Sequence, residues 1–195
     1  MGKSAQTDHD IQASLKTRWS PRAFADRTVP MKTVRSLLEA ARWSASCFNE
    51  QPWRFVIAHK DTPAQHKKMM DCLMEGNQWA ERAPVLILAA CKNTFSLDAR
   101  DNAHSQYDLG TATAQLTMEA TARGLFVHQM AGFHPKKAIA AYAIPNDFTP
   151  IAVLAVGHLG VPNTLPDDLK EMEERPRERK PLADIAFTDS WGTSL

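Results

Sequence analysis

Ser44-Ala45-Ser46-Cys47-Phe48-Asn49-Glu50-Gln51-Pro52-Trp53-Arg54-Phe55 is the stretch on which the fold of this chain turns. Ser44, Ser46, Asn49 and Gln51 crowd together side chains that donate and accept hydrogen bonds, with Phe48 and Trp53 among them. An amphipathic helical pattern precedes the stretch, and Phe55-Val56-Ile57-Ala58, an apolar run that reads as a buried strand, follows directly. A polar loop leading straight into core is how a fold presents a recognition surface to a planar, heteroatom-rich ligand. The same residues also suit an ordinary helix-to-strand connection.

On the N-terminal side, Pro30 suits the first position of a helix, and Val34, Leu37, Leu38 and Ala41 follow at helical spacing up to Trp43-Ser44. Further back, Asp10 to Thr17 predicts a short helix with Ile11 and Leu15 on one face. Between them stands Arg18-Trp19-Ser20-Pro21-Arg22. Pro21 disfavours helical geometry at Ser20, so the segment is expected to be extended. Alternate residues of an extended segment share a face, which puts Arg18, Ser20 and Arg22 together as a cationic, hydroxyl-bearing surface. Such a surface suits a phosphate, and equally a solvated basic turn.

On the C-terminal side, Thr62-Pro63 reads as the cap and first turn of a helix carrying Met69, Met70, Leu73 and Met74 as core filler. Val85 to Cys91 is a second apolar strand. Residues 98 to 109 are expected to form a polar surface loop. The longest helix runs from Tyr107 to Arg123, with Gly124 as its C-terminal cap. Its small residues Ala112, Ala114, Ala120 and Ala122 suit either a central core helix or a subunit interface. Leu125–His128 is a candidate strand, Lys136–Ala143 a short helix, and Ile151–Val156 a strand stopped by Gly157 and Gly160. From Pro162 to Arg179 prolines and charges dominate. That region reads as an extended arm with one short helix, delivering Arg175, Arg177, Arg179 and Lys180 and then Ile185-Ala186-Phe187 as a possible edge strand. Because Glu171, Glu173, Glu174 and Glu178 interleave with the basic run, a solvated, salt-bridged segment is the competing account of it.

The 195 residues suit one domain, spanning 1–195, with 1–9 expected to be flexible and 162–195 to form the arm. Apolar content of 44% and charged content of 23% are those of an ordinary soluble globular chain. The 23 Lys and Arg against 22 Asp and Glu leave no global field to draw nucleic acid or an anionic membrane. No apolar run approaches the roughly 20 residues of a spanning helix. The opening MGKSAQTDHDIQ lacks an apolar leader core, and Gln6 stands where a myristoylation signal after Met1-Gly2 needs a hydroxyl. Cys47, Cys72 and Cys91 are scattered and odd in number, which fits a reducing cytoplasm.

Familiar chemical motifs are missing. There is no GxGxxG, no GxxxxGK[ST] and no GxSxG. The seven histidines, His104, His128 and His158 among them, never fall into a paired-ligand spacing, so a metal site has no support. Glu39 and Glu119 lack a partnered carboxylate for acid–base work. No side chain is set up as a nucleophile, so any chemistry falls to a cofactor. What remains is two basic clusters, Arg18/Arg22 and Arg177/Arg179, and the Ser46, Asn49, Gln51 loop between them in sequence. A phosphate, a polyol chain and a flat ring edge would match these groups in turn, and together they describe FMN.

The same segments, in this order, resemble the FMN-dependent nitroreductase family of NAD(P)H-dependent flavin oxidoreductases. Arg18-Trp19-Ser20-Pro21-Arg22 resembles its R-x-S-x-R/K opening, and SASCFNEQPWRF its S-x-S-x-x-N-x-Q-P-W-x-F segment. IAVLAVGHLG at 151–160 is similar to its late strand with trailing glycines, and Arg177-Glu178-Arg179-Lys180-Pro181-Leu182 to its C-terminal basic-Pro-Leu motif. The resemblance implies an α+β, nitroreductase-like fold. Its central sheet is mostly antiparallel and flanked by helices, an arm extends from the C-terminus, and the homodimer is intertwined with its flavin sites at the subunit interface. It implies FMN contacts from Arg18, Trp19 through its backbone, Ser20 and Arg22, and from Ser46, Asn49 and Gln51 reaching flavin held mainly by the other subunit. Asn77, one residue out of the family's spacing, is implied as a ring contact. Met130-Ala131-Gly132 corresponds to the loop whose N–H groups, at Ala131 and Gly132, approach flavin N5, and Arg177 and Arg179 match the phosphate clamp. Lys180 could replace either arginine.

The implied activity is NADH or NADPH reducing a small planar electrophile, a nitroaromatic or a quinone, by ping-pong hydride transfer through flavin N5. A specialised member of the same fold (a dehalogenase, a flavin-destroying enzyme or a peptide dehydrogenase) and a non-catalytic FMN-binding redox sensor are the alternatives. His128-Gln129-Met130 departs from the family pattern, and 98–109 offers no obvious substrate lid. Cys47 lies inside the recognition loop, and a redox role for it would have to be argued from exposure.

Overall fold

The computed structural model of the chain describes residues 3–195, so Met1 and Gly2, and with them the lipidation reading, lie outside the described residues. Four strands form one antiparallel sheet: β1 Trp53–His59, β2 Val85–Lys92, β3 Phe126–Met130 and β4 Phe148–Gly157, in the order β1-β2-β4-β3. β2 lies inside the sheet with both faces covered, which is why its sequence is a continuous apolar run instead of an alternation. Ile87 and Leu86 stand on opposite faces, as the two-residue period of a strand requires.

Val85, Ile87, Ala89 and Cys91 face a helical layer made of α2 (Met31–Arg42) and α4 (Ser105–Ala122). Val34, Leu37 and Ala41 of α2 meet Leu109, Ala112, Leu116 and Ala120 of α4, so Ala112 and Ala120 serve close packing in the core while Ala114 and Ala122 are exposed. The hydroxyls of Thr113, Thr117 and Thr121 donate to the carbonyls four residues back at 3.0, 2.7 and 2.9 Å, and so Thr113 and Thr117 can be buried at little cost. Gly124 closes the helix in the left-handed region at φ +72°.

Leu86 and Leu88 face the other layer, built from α3 (Pro63–Met70), α5 (Pro135–Tyr142), Phe24, Trp79 and Leu165. α1 (Ala13–Thr17) lies against α4, and α6 (Asp167–Glu174) adds Leu169 to the second layer. No helix among the described residues is long and apolar enough to cross a membrane.

Two expectations are corrected. The helix starting at Pro63 stops at Met70 instead of carrying Leu73 and Met74. The chain there pairs with the loop after β3: Leu73 bridges Phe133, and His134 N–H donates to the Cys72 carbonyl at 2.8 Å. Residues 185–187 add no edge strand to the sheet. Ile185 is exposed, and Phe187 bridges Ser194 and packs on Trp191 at 5.2 Å, so the end of the arm closes on itself.

Candidate functional site

The segment Arg18–Ala23 alternates as an extended chain should: Trp19, Pro21 and Ala23 are buried, whereas Arg18, Ser20 and Arg22 are not. Trp19 packs edge-on against Phe126 at 6.1 Å, with the Lys3 ammonium over its ring at 4.9 Å. Its side chain thus anchors the backbone of the segment, and its buried Nε1 has no partner among the described residues. The Pro21 carbonyl faces His128 Nδ1 at 3.0 Å. Burial above all, opposed by that hydrogen bond and aided by the Arg22 charge, pushes the His128 pKa down to about 4, so the ring is neutral at pH 7.

The arm returns Arg177 and Arg179 to this segment. Arg177 Nη1 donates to the carbonyls of Lys3 and Lys16 at 2.9 and 2.7 Å. Burial, and then the Arg179 charge, push the Arg18 guanidinium below its usual pKa; burial, Arg18 and Arg179 do the same to Arg177. Three guanidiniums therefore share one field, and among the described residues none has a carboxylate within salt-bridge distance. Cations gathered without a counter-charge make a seat for an anion, and forks of N–H donors match a phosphate.

Asn77 sits in a 3-10 segment, Glu75–Arg82, and its Nδ2 donates to the Gly132 carbonyl at 2.9 Å. Met74 N–H donates to the same carbonyl at 3.1 Å. A Cβ on Gly132 would stand 2.5 Å from Asn77 Nδ2, so the amide at the end of the Asn77 side chain would have to move aside. Gly132 N–H donates to nothing among the described residues and is free to meet a ligand. Trp79 and His128 pack at 4.6 Å, and Phe24 stacks on Trp79 at 6.3 Å. Clustered guanidiniums and a free backbone N–H are the donor types that the phosphate and the ring edge of FMN require.

The recognition loop lies elsewhere. Phe48, Asn49 and Gln51 adopt left-handed φ of +50°, +57° and +50°, a strained conformation for side chains of this size. It is held by Ser46 Oγ accepting Gln51 N–H at 3.0 Å and by Asp108 of α4 accepting Cys47 N–H at 3.0 Å. Ser96 N–H and Oγ hold Glu50 at 2.9 and 2.5 Å. Gln51 Nε2 turns onto the Asn49 carbonyl at 3.0 Å, while Phe48 is 83% exposed. Cys47 is half-buried. This loop enters β1 at one edge of the sheet, whereas Ala131-Gly132 leave β3 at the other, three strand spacings or about 14 Å away. Within one chain the predicted site residues therefore form two groups. Arg18, Trp19, Ser20, Arg22, Arg177 and Arg179 gather at the segment that packs on Phe126 and His128 of β3, Asn77 meets Gly132 in the loop that leaves the same strand after Ala131, and Ser46, Asn49 and Gln51 stand at the other edge.

Three supports escaped the sequence reading. Glu173 of α6, 2% exposed, accepts the N–H groups of Arg22 and Ala23. Asp108, 3% exposed, pins the loop, and His128 fixes Pro21. A signal existed for the carboxylates. Glu173 continues the four-residue stripe of Leu165 and Leu169, and Asp108 that of Ala112 and Leu116.

Residues 15–158 match the model of the nitroreductase family. A solved structure described as an oxidoreductase containing FMN superposes with a TM-score of 0.92 at 37% identity, covering 97% of this chain and 96% of that one. An uncharacterized 15.4 kDa protein in the ask 5' region of Mycolicibacterium smegmatis is 42% identical over 123 residues, 63% of this chain and 82% of its own. The major NAD(P)H-flavin oxidoreductase of Aliivibrio fischeri is 30% identical over 98 residues, 48% of this chain and 44% of its own.

Proposed function

The chain belongs to the nitroreductase family, and from that premise we propose that it is an FMN-dependent oxidoreductase of the cytoplasm. It draws electrons from NADH or NADPH and reduces a small planar electrophile, a nitroaromatic or a quinone, in a ping-pong cycle. The observation that carries this reading is the Arg18, Arg177 and Arg179 cluster without a carboxylate in salt-bridge distance, on a segment that packs against β3, the strand that leads into the Gly132 loop. When bound, FMN supplies hydride acceptance and donation at its N5. The protein's own residues hold and orient: the arginines neutralise the phosphate, and Asn77 keeps the 131–132 loop in place. Neutral His128 keeps Pro21 aligned without adding charge to the cluster.

The site is proposed to be completed by a second copy of the chain. Two features support this: Ser46, Asn49 and Gln51 lie at the opposite sheet edge from the arginines, and the arm exposes Leu182, Ile185, Trp191 and Leu195. So much apolar surface on an extended segment calls for a partner. In this arrangement the loop of one subunit reaches the flavin held by the other.

The test is direct. Protein purified as a dimer should be yellow and lose its colour under anaerobic NADH or NADPH, regaining it when a quinone or nitroaromatic is added. A well-folded product that stays colourless after incubation with FMN would overturn the proposal.

A further inference from the structure

We propose that Glu173 is a positioning residue that docks the C-terminal arm onto the 18–23 segment and so assembles the anion seat before any ligand arrives. Its Oε1 accepts the N–H groups of Arg22 and Ala23, each at 3.0 Å, and its Oε2 accepts that of Arg22 at 2.9 Å. These donors lie about 150 residues away in sequence, on the segment whose outward side chains are Arg18, Ser20 and Arg22. Two residues after Glu173, the Arg175 carbonyl receives the Lys3 ammonium, and Arg177 then binds the Lys3 and Lys16 carbonyls. Glu173 is the buried member of this lattice and comes immediately before the basic run.

An apolar side chain would continue the Leu165–Leu169 stripe without the cost of burying a charge. A carboxylate alone accepts both backbone N–H groups, and its charge acts on the Lys3 ammonium while leaving Arg18, Arg177 and Arg179 without a salt-bridge partner. A clamp fixed in this way loses less freedom when it closes on a phosphate.

The inference rests on reading the arginine cluster as the phosphate seat, and the experiment separates the two. Calorimetric titrations of flavin-freed protein with FMN, riboflavin and inorganic phosphate compare wild type with Glu173→Gln. FMN and phosphate affinity should each fall by about tenfold or more, the worth of one hydrogen bond to a charged group, while riboflavin affinity stays unchanged. Trypsin should cut faster after Arg177 and Arg179 in the variant. Glu173→Asp, which keeps the charge and shortens the reach, should fall between the two and carries the comparison if Glu173→Gln does not fold. Equal losses for FMN and riboflavin, or no loss for FMN, would overturn the proposal. A wild type that binds phosphate but neither flavin would end the flavin reading. The phosphate titration would then judge Glu173 alone, with a fall in the variant supporting the proposal and no fall, or no phosphate binding by wild type, overturning it.

Discussion

Asn77 and Gly132, 55 residues apart, meet through a 2.9 Å hydrogen bond from the Asn77 amide to the Gly132 carbonyl, and a Cβ on the glycine would stand 2.5 Å from that amide. Gly132→Ala should therefore displace the amide and lower stability by about 1–3 kcal/mol, the usual result of adding a carbon to a filled site. Asn77→Ala should relieve that strain, so the double variant should melt above the sum of the two single losses, with a coupling of about 0.5–3 kcal/mol. Strict additivity in thermal melts would show that the contact is not made in solution.

The arginine cluster predicts how flavin binding responds to charge removal. Arg18→Ala and Arg179→Ala should each weaken FMN binding by roughly 1.5–3 kcal/mol, because each removes a charge-assisted hydrogen bond to the phosphate. Raising the salt concentration should weaken FMN binding in the wild type and do so less in the double variant, since fewer charges remain to be screened. Fluorescence titrations at two ionic strengths measure both effects. A double variant that binds FMN as the wild type does would show that the two ends of the chain do not converge on one anion.

His128 ties stability to pH. In the unfolded chain it takes up a proton as pH falls through about 6.5, whereas the folded protein holds it neutral down to about 4. Between those values the unfolded state binds more protons, so acid favours unfolding. The contribution is complete above pH 6.5 and is lost progressively toward pH 4, amounting to about 3 kcal/mol. Urea midpoints at pH 7 and pH 5 should thus separate more for the wild type than for His128→Gln. Equal separations would mean that the ring titrates normally.

These predictions mix residues that the sequence announces with residues that it conceals. β2 is legible because a strand buried on both faces has to be apolar throughout, and 85–91 is. Arg18, Ser20 and Arg22 are legible because Pro21 fixes an extended backbone, whose geometry then puts them on one side. Asn77 is found through resemblance alone, since a side-chain bond to a glycine carbonyl 55 residues away leaves no local pattern. Glu173 and Asp108 are hidden for a related reason. Their partners are backbone N–H groups, which every residue but proline carries, so nothing at Arg22 or Cys47 points to an acid. The missing edge strand at 185–187 follows from the arm's own closure through Phe187 and Trp191, a contact between residues that composition reads as ordinary loop.

The recognition loop should depend on its buried acid. Asp108→Ala removes the acceptor of Cys47 N–H and leaves Phe48, Asn49 and Gln51 to relax from their left-handed backbone. Each such residue is strained by about 1–3 kcal/mol, so the loop keeps its shape only while its surroundings enforce it. Amide exchange in 46–51 should accelerate markedly in Asp108→Ala while β2 and β4 stay protected. A loop as protected as in the wild type would show that Ser46 and Glu50 suffice to hold it.

The placement of Ser46, Asn49 and Gln51 beside β1, at the sheet edge opposite the β3 strand on which the 18–22 segment packs, makes the proposed second subunit testable by complementation. One variant carries Arg18→Ala with Arg179→Ala, and the other carries Asn49→Ala with Gln51→Ala. Each alone should bind FMN poorly, the first for want of its phosphate seat and the second for want of its ring and polyol contacts. If each site takes its arginines from one chain and its loop from the other, a mixed dimer pairs both defects in one site and leaves the second intact. Refolding the two variants together in equal amounts should then give half mixed dimers and restore about a quarter of all sites, in accord with two-fold symmetry. If each chain built its own site, every site in the mixture would carry one defect, and FMN binding would stay at the mean of the two parents.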